Sequence, residues 1–385
     1  MGYIFIFIIL FLSFFSLSHL CGQRYTSIFA LLLIFCIAGF SYSIPDYSAY
    51  ERFFQNASYL DIDKIFNYSY AIENRCSKDF GYNILSYILG NLGMNFVCFR
   101  ALIFLVGFFL LYCYARRMSK YTMPFLSLYC LYPLLIDVIQ MRNFMMEICV
   151  FVAFFYYCKD NSFLSSDIKW FGILLIASTL HSSAFMLLPF FIFNKIITTR
   201  YKYFIYIYIA ACLCLPVYSS EIRDSWLFVY FLLSSGDSFL NSYADYTLAT
   251  TYDYNVWLYI YTVILYICSC LFQFYKNLRT DMFTEYESRY IDTLKRYLMY
   301  NICFLPLYPL FSTIATRLPR NSLILVYIVI CICMGKVSVK YKYLLWGLGI
   351  CLALAMGRLD LYHPEMIYNI DLIMNNNFIF EFFGI

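Results

Sequence analysis

The sequence predicts an all-α, polytopic integral membrane protein with about 10–13 transmembrane or half-membrane helices. Of its 385 residues, 63% are hydrophobic and only 13% are charged, whereas about a quarter of the residues in a soluble domain are charged. The mean hydropathy is +0.70. The apolar residues form long continuous runs instead of the alternating pattern of a β-barrel. We therefore expect one integral membrane domain over residues 1–385, with outer loops at 45–99 and 219–254.

Eleven apolar runs are candidate spans, and several are shorter than the roughly 20 residues that a simple crossing needs. The runs cover residues 3–20, 26–44, 100–115, 122–138, 143–158, 170–193, 203–218, 255–275, 297–315, 321–335 and 343–357. The first lacks the basic flank and cleavage site of a signal peptide, so we expect a membrane helix there. Glycine and asparagine residues interrupt 84–99, which favours a re-entrant or interfacial helix.

Basic residues should concentrate in cytoplasmic loops, and five clusters of Lys and Arg mark such loops. Both ends of the run 170–193 carry a cluster, so a single crossing there conflicts with the clusters that follow. The conflict disappears if the run breaks near residues 178–183 and returns to the side it came from. Non-helical backbone at that depth must be buried in protein or line a water-filled cavity. We therefore expect His181 to lie at a break, and the tail 358–385 to lie outside.

Three ionisable residues, Arg142, His181 and Arg317, lie in or beside long apolar runs. An ionisable group at membrane depth costs several kcal/mol unless it is paired or faces water. Three such groups in one chain indicate chemistry or transport within the membrane domain. The structural alternative is that each pairs with a nearby acid, which for Arg142 would be Asp137 or Glu147.

The chemistry of these side chains allows two interpretations of each. A guanidinium donates in a rigid fork that fits phosphate or carboxylate. Arg317 and Arg320 lie between the runs 297–315 and 321–335, and a spacing of three puts them on one helical face. They either clamp a diphosphate or extend to the membrane interface. His181 is either a general acid or base or a satisfied packing residue.

The outer loops interleave carboxylates with tyrosines. Carboxylate oxygens accept hydrogen bonds from sugar hydroxyls, and aromatic faces cover the C–H faces of sugar rings. The same composition occurs in the aromatic belts of membrane proteins, so composition alone leaves both interpretations open. The acidic and aromatic residues concerned are Asp46, Tyr47, Tyr50, Asp79 and Tyr82 in the first loop, and Asp237, Tyr243, Asp245 and Tyr246 in the second.

The sequence lacks the motifs of disulfide frameworks, metal sites and nucleotide hydrolysis. The 16 cysteines lie mostly inside apolar runs, which favours small buried side chains over a disulfide framework. The chain has three histidines, no paired metal-ligand spacing and no P-loop. We therefore expect no metal, no cofactor and no ATP hydrolysis, and we expect no nucleic-acid partner.

Five sequence elements occur in a fixed order along the chain. Asp46 and Tyr50 form an outer-loop D-x-x-x-Y pattern, and Asp79-Phe80-Gly81-Tyr82 forms an acid-x-Gly-aromatic element. Arg142-Asn143 starts a span, His181-Ser182-Ser183-Ala184 forms an H-x-S-A motif, and Arg317 follows later. This ordered set resembles the EpsG-type family of bacterial polysaccharide polymerases, a branch of the Wzy-like O-antigen and capsule polymerases. The chain departs from the family pattern in having Asp79 for Glu, Phe80 for Pro and Asn143 for Gln, and the resemblance covers most of the chain.

The resemblance implies a GT-C-like, metal-independent glycosyltransferase of the bacterial inner membrane. Its donor and acceptor would be oligosaccharides linked to undecaprenyl diphosphate, and a chain-length regulator would be a candidate protein partner. Arg142 and Arg317 would bind the donor diphosphate with help from Arg320, and Asp46 or His181 would be the base. Tyr47, Tyr50, Asp79, Gly81 and Tyr82 would shape the acceptor-sugar site. A lipid-linked oligosaccharide flippase or another transporter, an O-antigen ligase, and a purely structural membrane protein are the alternatives.

Overall fold

The computed structural model is helical nearly throughout the residues it describes, which are 2–18, 23–66, 73–159, 163–197, 202–214, 252–307, 312–360 and 364–382. The helices are α1 (Gly2–Ser16), α2 (Gln23–Phe40), α3 (Tyr47–Tyr59), α4 (Ile62–Ile65), α5 (Phe80–Asn91), α6 (Phe96–Met118), α7 (Thr122–Leu131), α8 (Leu134–Ile139), α9 (Met141–Lys159), α10 (Phe163–Leu180), α11 (Phe190–Ile197), α12 (Lys202–Cys214), α13 (Tyr252–Leu278), α14 (Glu285–Ile302), α15 (Ser312–Met334), α16 (Val339–Asp360), α17 (Pro364–Asn375) and α18 (Phe378–Phe382). The predicted outer loop 219–254 lies almost wholly outside the described residues.

Six helices in the described part of the chain are long and apolar enough to cross a membrane. They are α2, α6, α9, α13, α15 and α16. Shorter apolar segments at Gly2–Ser16, Thr122–Leu131, Ser182–Ile197 and Tyr203–Leu213 accompany them. The prediction of an all-α polytopic membrane protein is therefore confirmed.

The chain divides into two compact units. The first unit contains Met1–Leu188, Tyr327–Gly357 and Leu361–Ile385, and the second contains Pro189–Val326 and Arg358–Asp360. In the first unit, α9 packs along α6 and α10, α2 packs on α6 and α7, and α3 packs on α5. In the second unit, α14 packs on α11, α12 and α13. The prediction of a single integral domain stays a prediction.

Two predicted spans are not continuous helices. The run 122–138 is divided into α7 and α8 at Tyr132, whose backbone is extended, and Pro133. Proline lacks an amide hydrogen and disfavours helical backbone in the residue before it, which explains the interruption. The run 297–315 contains the end of α14 and the start of α15, with Pro306 between them in the short 3₁₀ turn Leu305–Leu307.

The position predicted for the two late arginines is also corrected. The helix α15 continues through Pro319, so Arg317 and Arg320 lie within one helix instead of between two spans. Membrane helices tolerate an internal proline when neighbouring groups satisfy the freed carbonyl. The three-residue spacing therefore places both side chains on one face of α15.

The predicted break near residues 178–183 is confirmed. The helix α10 ends at Leu180, His181 has an extended backbone, and a 3₁₀ turn follows at Ser182–Leu187. The amide of His181 still donates to the carbonyl of Ala177, at 2.9 Å. The return of the chain to the same side of the membrane stays a prediction, as does the interfacial placement of 84–99, which contains the end of α5 and the start of α6.

Gly107 tests the packing of α6 on α9. A methyl group on Gly107 would lie 2.4 Å from the ring of Phe144, which is buried. We expect Gly107→Ala to lower the melting temperature of the detergent-purified protein, because overpacking costs about 1–3 kcal/mol. Gly347→Ala in α16 is the matched control, since nothing lies within 4 Å of its added methyl. There the better helix propensity of alanine should stabilise by about 0.5–1 kcal/mol. A Gly107→Ala protein that melts at or above the wild-type temperature would contradict this packing.

Candidate active site

Arg142, the second residue of α9, is held by two oxygen acceptors. Its Nη1 donates to the hydroxyl of Ser77 at 2.6 Å and to Oδ2 of Asp79 at 2.7 Å. The guanidinium lies over the rings of Tyr50 and Phe53, at 5.4 and 5.6 Å. Its side chain is 16% exposed, whereas that of Asp79 is 3% exposed. The pair therefore presents a fixed cation whose partner is buried.

The observed partner of Arg142 differs from both acids that its sequence neighbourhood suggests. Asp137 lies in α8, beyond the helix break, and accepts from the hydroxyl of Tyr129 at 2.5 Å. Glu147 accepts from the amide of Asn143 at 2.7 Å. A separation of five residues along α9 turns Glu147 well away from the face of Arg142. Asp79, 63 residues earlier in the chain, is the ion-pair partner.

Asp79 connects three helix ends. It precedes the first residue of α5, and its Oδ2 receives Arg142 from the start of α9. Its Oδ1 accepts the amide of Ser182 at 3.2 Å, just after the end of α10. The turn before it is closed by Asn83, which donates to the carbonyl of Ser77 at 2.7 Å and accepts its amide at 3.1 Å. Both carboxylate oxygens are therefore engaged by protein groups.

Gly81 lets α5 approach the end of α10 closely. A methyl group there would lie 2.8 Å from the carbonyl oxygen of Thr179 and 2.3 Å from its hydroxyl. A larger residue would push α5 away from the break at His181. The glycine of the motif is thus required by the contact between these two backbones.

His181 is buried at the break, with 5% of its surface exposed. Its Nδ1 accepts the amide of Ser183 at 3.2 Å and lies 2.8 Å from the Ser183 hydroxyl. A neutral imidazole that accepts at Nδ1 carries its proton on Nε2. In this geometry His181 is arranged to donate from Nε2, so it is better placed as a donor than as a base.

The environment of Asp46 differs from those of Asp79 and His181, which are buried and hydrogen-bonded. It precedes α3 with a φ of 59°, in the left-handed region, and its side chain does not cap the helix. The side chain is exposed, and no hydrogen bond to it occurs within the described part of the chain. Desolvation by the surrounding protein raises the pKa of Asp46, and the nearby Arg142 opposes the shift. A carboxylate that is accessible and not hydrogen-bonded is well suited to receive a proton.

The tyrosines predicted to contact sugar divide into one half-buried residue and two buried ones. Tyr47 is half-buried and packs edge-on against Phe96, with ring centroids 5.1 Å apart. Tyr50 and Tyr82 are buried, with ring centroids 6.0 Å apart, and the Tyr82 hydroxyl donates to the Tyr50 carbonyl at 3.3 Å. Burial raises the pKa of both hydroxyls. The Tyr50 ring, over which the Arg142 guanidinium lies, is therefore itself packed against Tyr82.

The late arginines belong to the second unit. Arg320 is buried, and its Nη2 donates to Oδ2 of Asp360 at 2.9 Å, so it does not extend to the interface. Arg317 is half-buried. The prediction that both arginines bind the donor diphosphate together with Arg142 stays a prediction. Within the described ranges, no group of three or more His, Cys, Asp or Glu side chains could hold a metal ion.

The model of one protein family matches residues 24–369, about nine-tenths of the sequence. The chain belongs to the EpsG family. Membership makes it a multi-pass membrane protein with a polysaccharide-polymerase type of role. Searches of the curated proteins and of the solved structures found no match.

Sequence reasoning missed two parts of this EpsG-family site. Ser77, which accepts from Arg142, carries no distinguishing pattern in the sequence. Ser182 occupies the variable position of the H-x-S-A motif and donates to Asp79 through its backbone amide. Arg100, a fully buried arginine in α6, was detectable as a charge at the start of an apolar run. The run begins at that residue, and the sequence alone does not show whether a charge at the end of an apolar run is buried.

We expect Gly81→Ala to reduce polymer formation strongly while the protein still inserts in the membrane. The added methyl would separate α5 from α10 and so displace Asp79 from Ser182 and Arg142. Gly172→Ala is the matched control in α10, because nothing lies within 4 Å of its methyl. The measurement is the surface-polysaccharide ladder on a gel, normalised to membrane-inserted protein. Equal ladders from the two variants would show that the close contact is not needed.

Proposed function

We propose that the protein polymerises oligosaccharide repeat units linked to undecaprenyl diphosphate into O-antigen or capsular polysaccharide, at the periplasmic face of the bacterial inner membrane. The observation that carries the proposal is the pairing of a fixed cation with an accessible base. Arg142 is held by Asp79 through Nη1, and 16% of its side chain stays exposed. The exposed part of the guanidinium can donate to a phosphate oxygen, and Asp46 lies within electrostatic reach.

The reaction breaks one glycosidic bond to phosphate and forms one bond between sugars. The hydroxyl oxygen of the acceptor sugar attacks the anomeric carbon of the donor glycan. The bond from that carbon to the diphosphate oxygen breaks, and undecaprenyl diphosphate leaves with the electron pair. The hydroxyl proton passes to Asp46. Negative charge grows on the diphosphate, so a preorganised guanidinium stabilises the transition state.

The assignment of Asp46 as the base follows from the environments of the candidates. Both oxygens of Asp79 are engaged, and Nδ1 of His181 already accepts from Ser183. A base needs a free lone pair that can reach the reacting hydroxyl. Asp46 meets this requirement.

The ends of three helices support the outer-face location. The helix α9 begins beside Arg142 and ends at Lys159, and α10 carries Lys169 in its first half and ends at Leu180, directly before His181. The helix α6 likewise ends at a basic pair, Arg116 and Arg117. Basic residues favour the cytoplasmic side, and a 23-residue helix spans about 34 Å. The site therefore belongs at the opposite, outer face.

Deletion of the gene in its host distinguishes a polymerase from the two alternatives, a flippase and an O-antigen ligase. The surface polysaccharide of the deletion strain is separated on a gel. A single-repeat band in place of the polymer ladder indicates a polymerase. Loss of all surface glycan with lipid-linked units accumulating inside indicates a flippase. Polymer that remains on its lipid carrier indicates an O-antigen ligase.

We expect Arg142→Lys to remove most or all of the polymer while expression stays intact. Lysine keeps the charge but loses the planar fork, so it cannot reproduce the geometry in which a guanidinium donates to Asp79 and to a phosphate. The control is Arg116→Lys, the same change at the far end of α6, where the residue donates to the Tyr112 hydroxyl at 3.3 Å. Full-length polymer from Arg142→Lys would rule out the diphosphate contact.

The pH dependence distinguishes the two candidate bases. Because the pKa of Asp46 is raised above its usual value of 3.8, the carboxylate is lost on acidification at a higher pH than in an ordinary aspartate. The polymerisation rate should fall as the pH drops through that raised pKa. Asp46→Asn should lower the rate by on the order of 10²–10⁴-fold and remove this acidic limb. His181→Gln should keep the limb; if His181→Gln removes it and Asp46→Asn does not, His181 is the base.

A further inference from the structure

Arg100 is a buried cation without a carboxylate partner. It is the fifth residue of α6, and its side chain is 1% exposed. No ion pair joins it to an acid in the described part of the chain. Its Nε and Nη1 are buried and have no hydrogen-bond partner there. Burying a charge without a counter-ion costs free energy, which the contacts of Arg100 must offset.

The hydrogen bonds of Arg100 go to two carbonyl groups at helix ends, and its guanidinium lies over the ring of Phe104 at 4.8 Å. Nη2 donates to the carbonyl of Val138 at 2.8 Å and to that of Ala38 at 3.1 Å. These carbonyls belong to the last turns of α8 and α2, where the helix dipole favours a positive charge. The amide of Tyr42, which would pair with Ala38 in a continuing helix, donates instead to the carbonyl of Asn376 at 3.1 Å. Arg100 thus satisfies a carbonyl that has lost its helical donor.

Each of these helix ends leads directly into the candidate active site. Val138 is four residues before Arg142, and Ala38 is eight residues before Asp46. The guanidinium carbon of Arg100 also lies 5.9 Å from the ring centroid of Tyr47, the residue after Asp46. One side chain therefore connects the segment that carries the proposed cation with the segment that carries the proposed base.

We propose that Arg100 is a positioning residue, which sets the distance between Arg142 and Asp46 by joining the ends of α8 and α2. The proposal rests on the polymerase function proposed above. Under this proposal Arg100 raises the reaction rate, whereas its buried charge lowers the stability of the fold. Removing the charge should relieve the burial cost while loosening the site.

The test compares Arg100→Met with Arg100→Lys. Methionine fills part of the volume without charge or donor, whereas lysine keeps a charge and can donate to one of the carbonyls. Each protein is purified and reconstituted in liposomes with lipid-linked repeat units extracted from the deletion strain. The melting temperature, kcat and KM for those units are measured. Arg116→Met, in the same helix but about 24 Å further along it, is the control for which we expect the wild-type rate.

We expect Arg100→Met to melt at or above the wild-type temperature and to lose on the order of 10²-fold in kcat, the scale of a site misplaced by about 1 Å. KM should change less than kcat, and Arg100→Lys should recover part of the rate. A wild-type kcat in Arg100→Met would overturn the positioning role, as would equal rates in the methionine and lysine variants or a loss of rate that only parallels a loss of folded protein. A wild-type protein that makes no polymer from these units would instead overturn the proposed function, and the positioning role with it.

Discussion

The ion pair between Arg142 and Asp79 is the contact on which the rest of the site depends. Burying a guanidinium costs free energy, and Asp79 offsets part of that cost for Arg142 from a distant part of the chain. The second oxygen of Asp79 holds the amide of Ser182. The starts of α5 and α9 and the end of α10 are therefore held together by one carboxylate, and the guanidinium of Arg142 has a defined orientation.

The site is assembled from helix ends because interrupted helices release polar groups that a membrane domain must satisfy. Asp79 and His181 accept amides from the turn after α10, and Arg100 donates to carbonyls at the ends of α2 and α8. The same interruptions that disturb the regular spans thus create directed donors and acceptors. A surface of uninterrupted helices would offer a substrate few backbone groups.

Burial separates groups of similar chemistry into different roles. Asp46 and Asp79 are both aspartates near Arg142, yet Asp79 is buried and doubly engaged while Asp46 is exposed and not hydrogen-bonded. Arg100 and Arg320 are both buried arginines, but only Arg320 has an acid partner, Asp360. The distribution of partners, rather than residue type, decides which group is free to take part in a reaction.

The sequence by itself determined the all-α membrane class, the break at His181 and the family, because these depend on local composition and on motif order. It did not determine the partner of Arg142 or the burial of Arg100, because both depend on contacts between segments far apart in the chain. The sequence did not show that the run 122–138 is interrupted, because hydropathy does not register the backbone constraint of Pro133. Only the tertiary structure could show that Asp79, Ser182 and Arg142 meet, since three helix ends must dock before a single hydrogen bond among them exists.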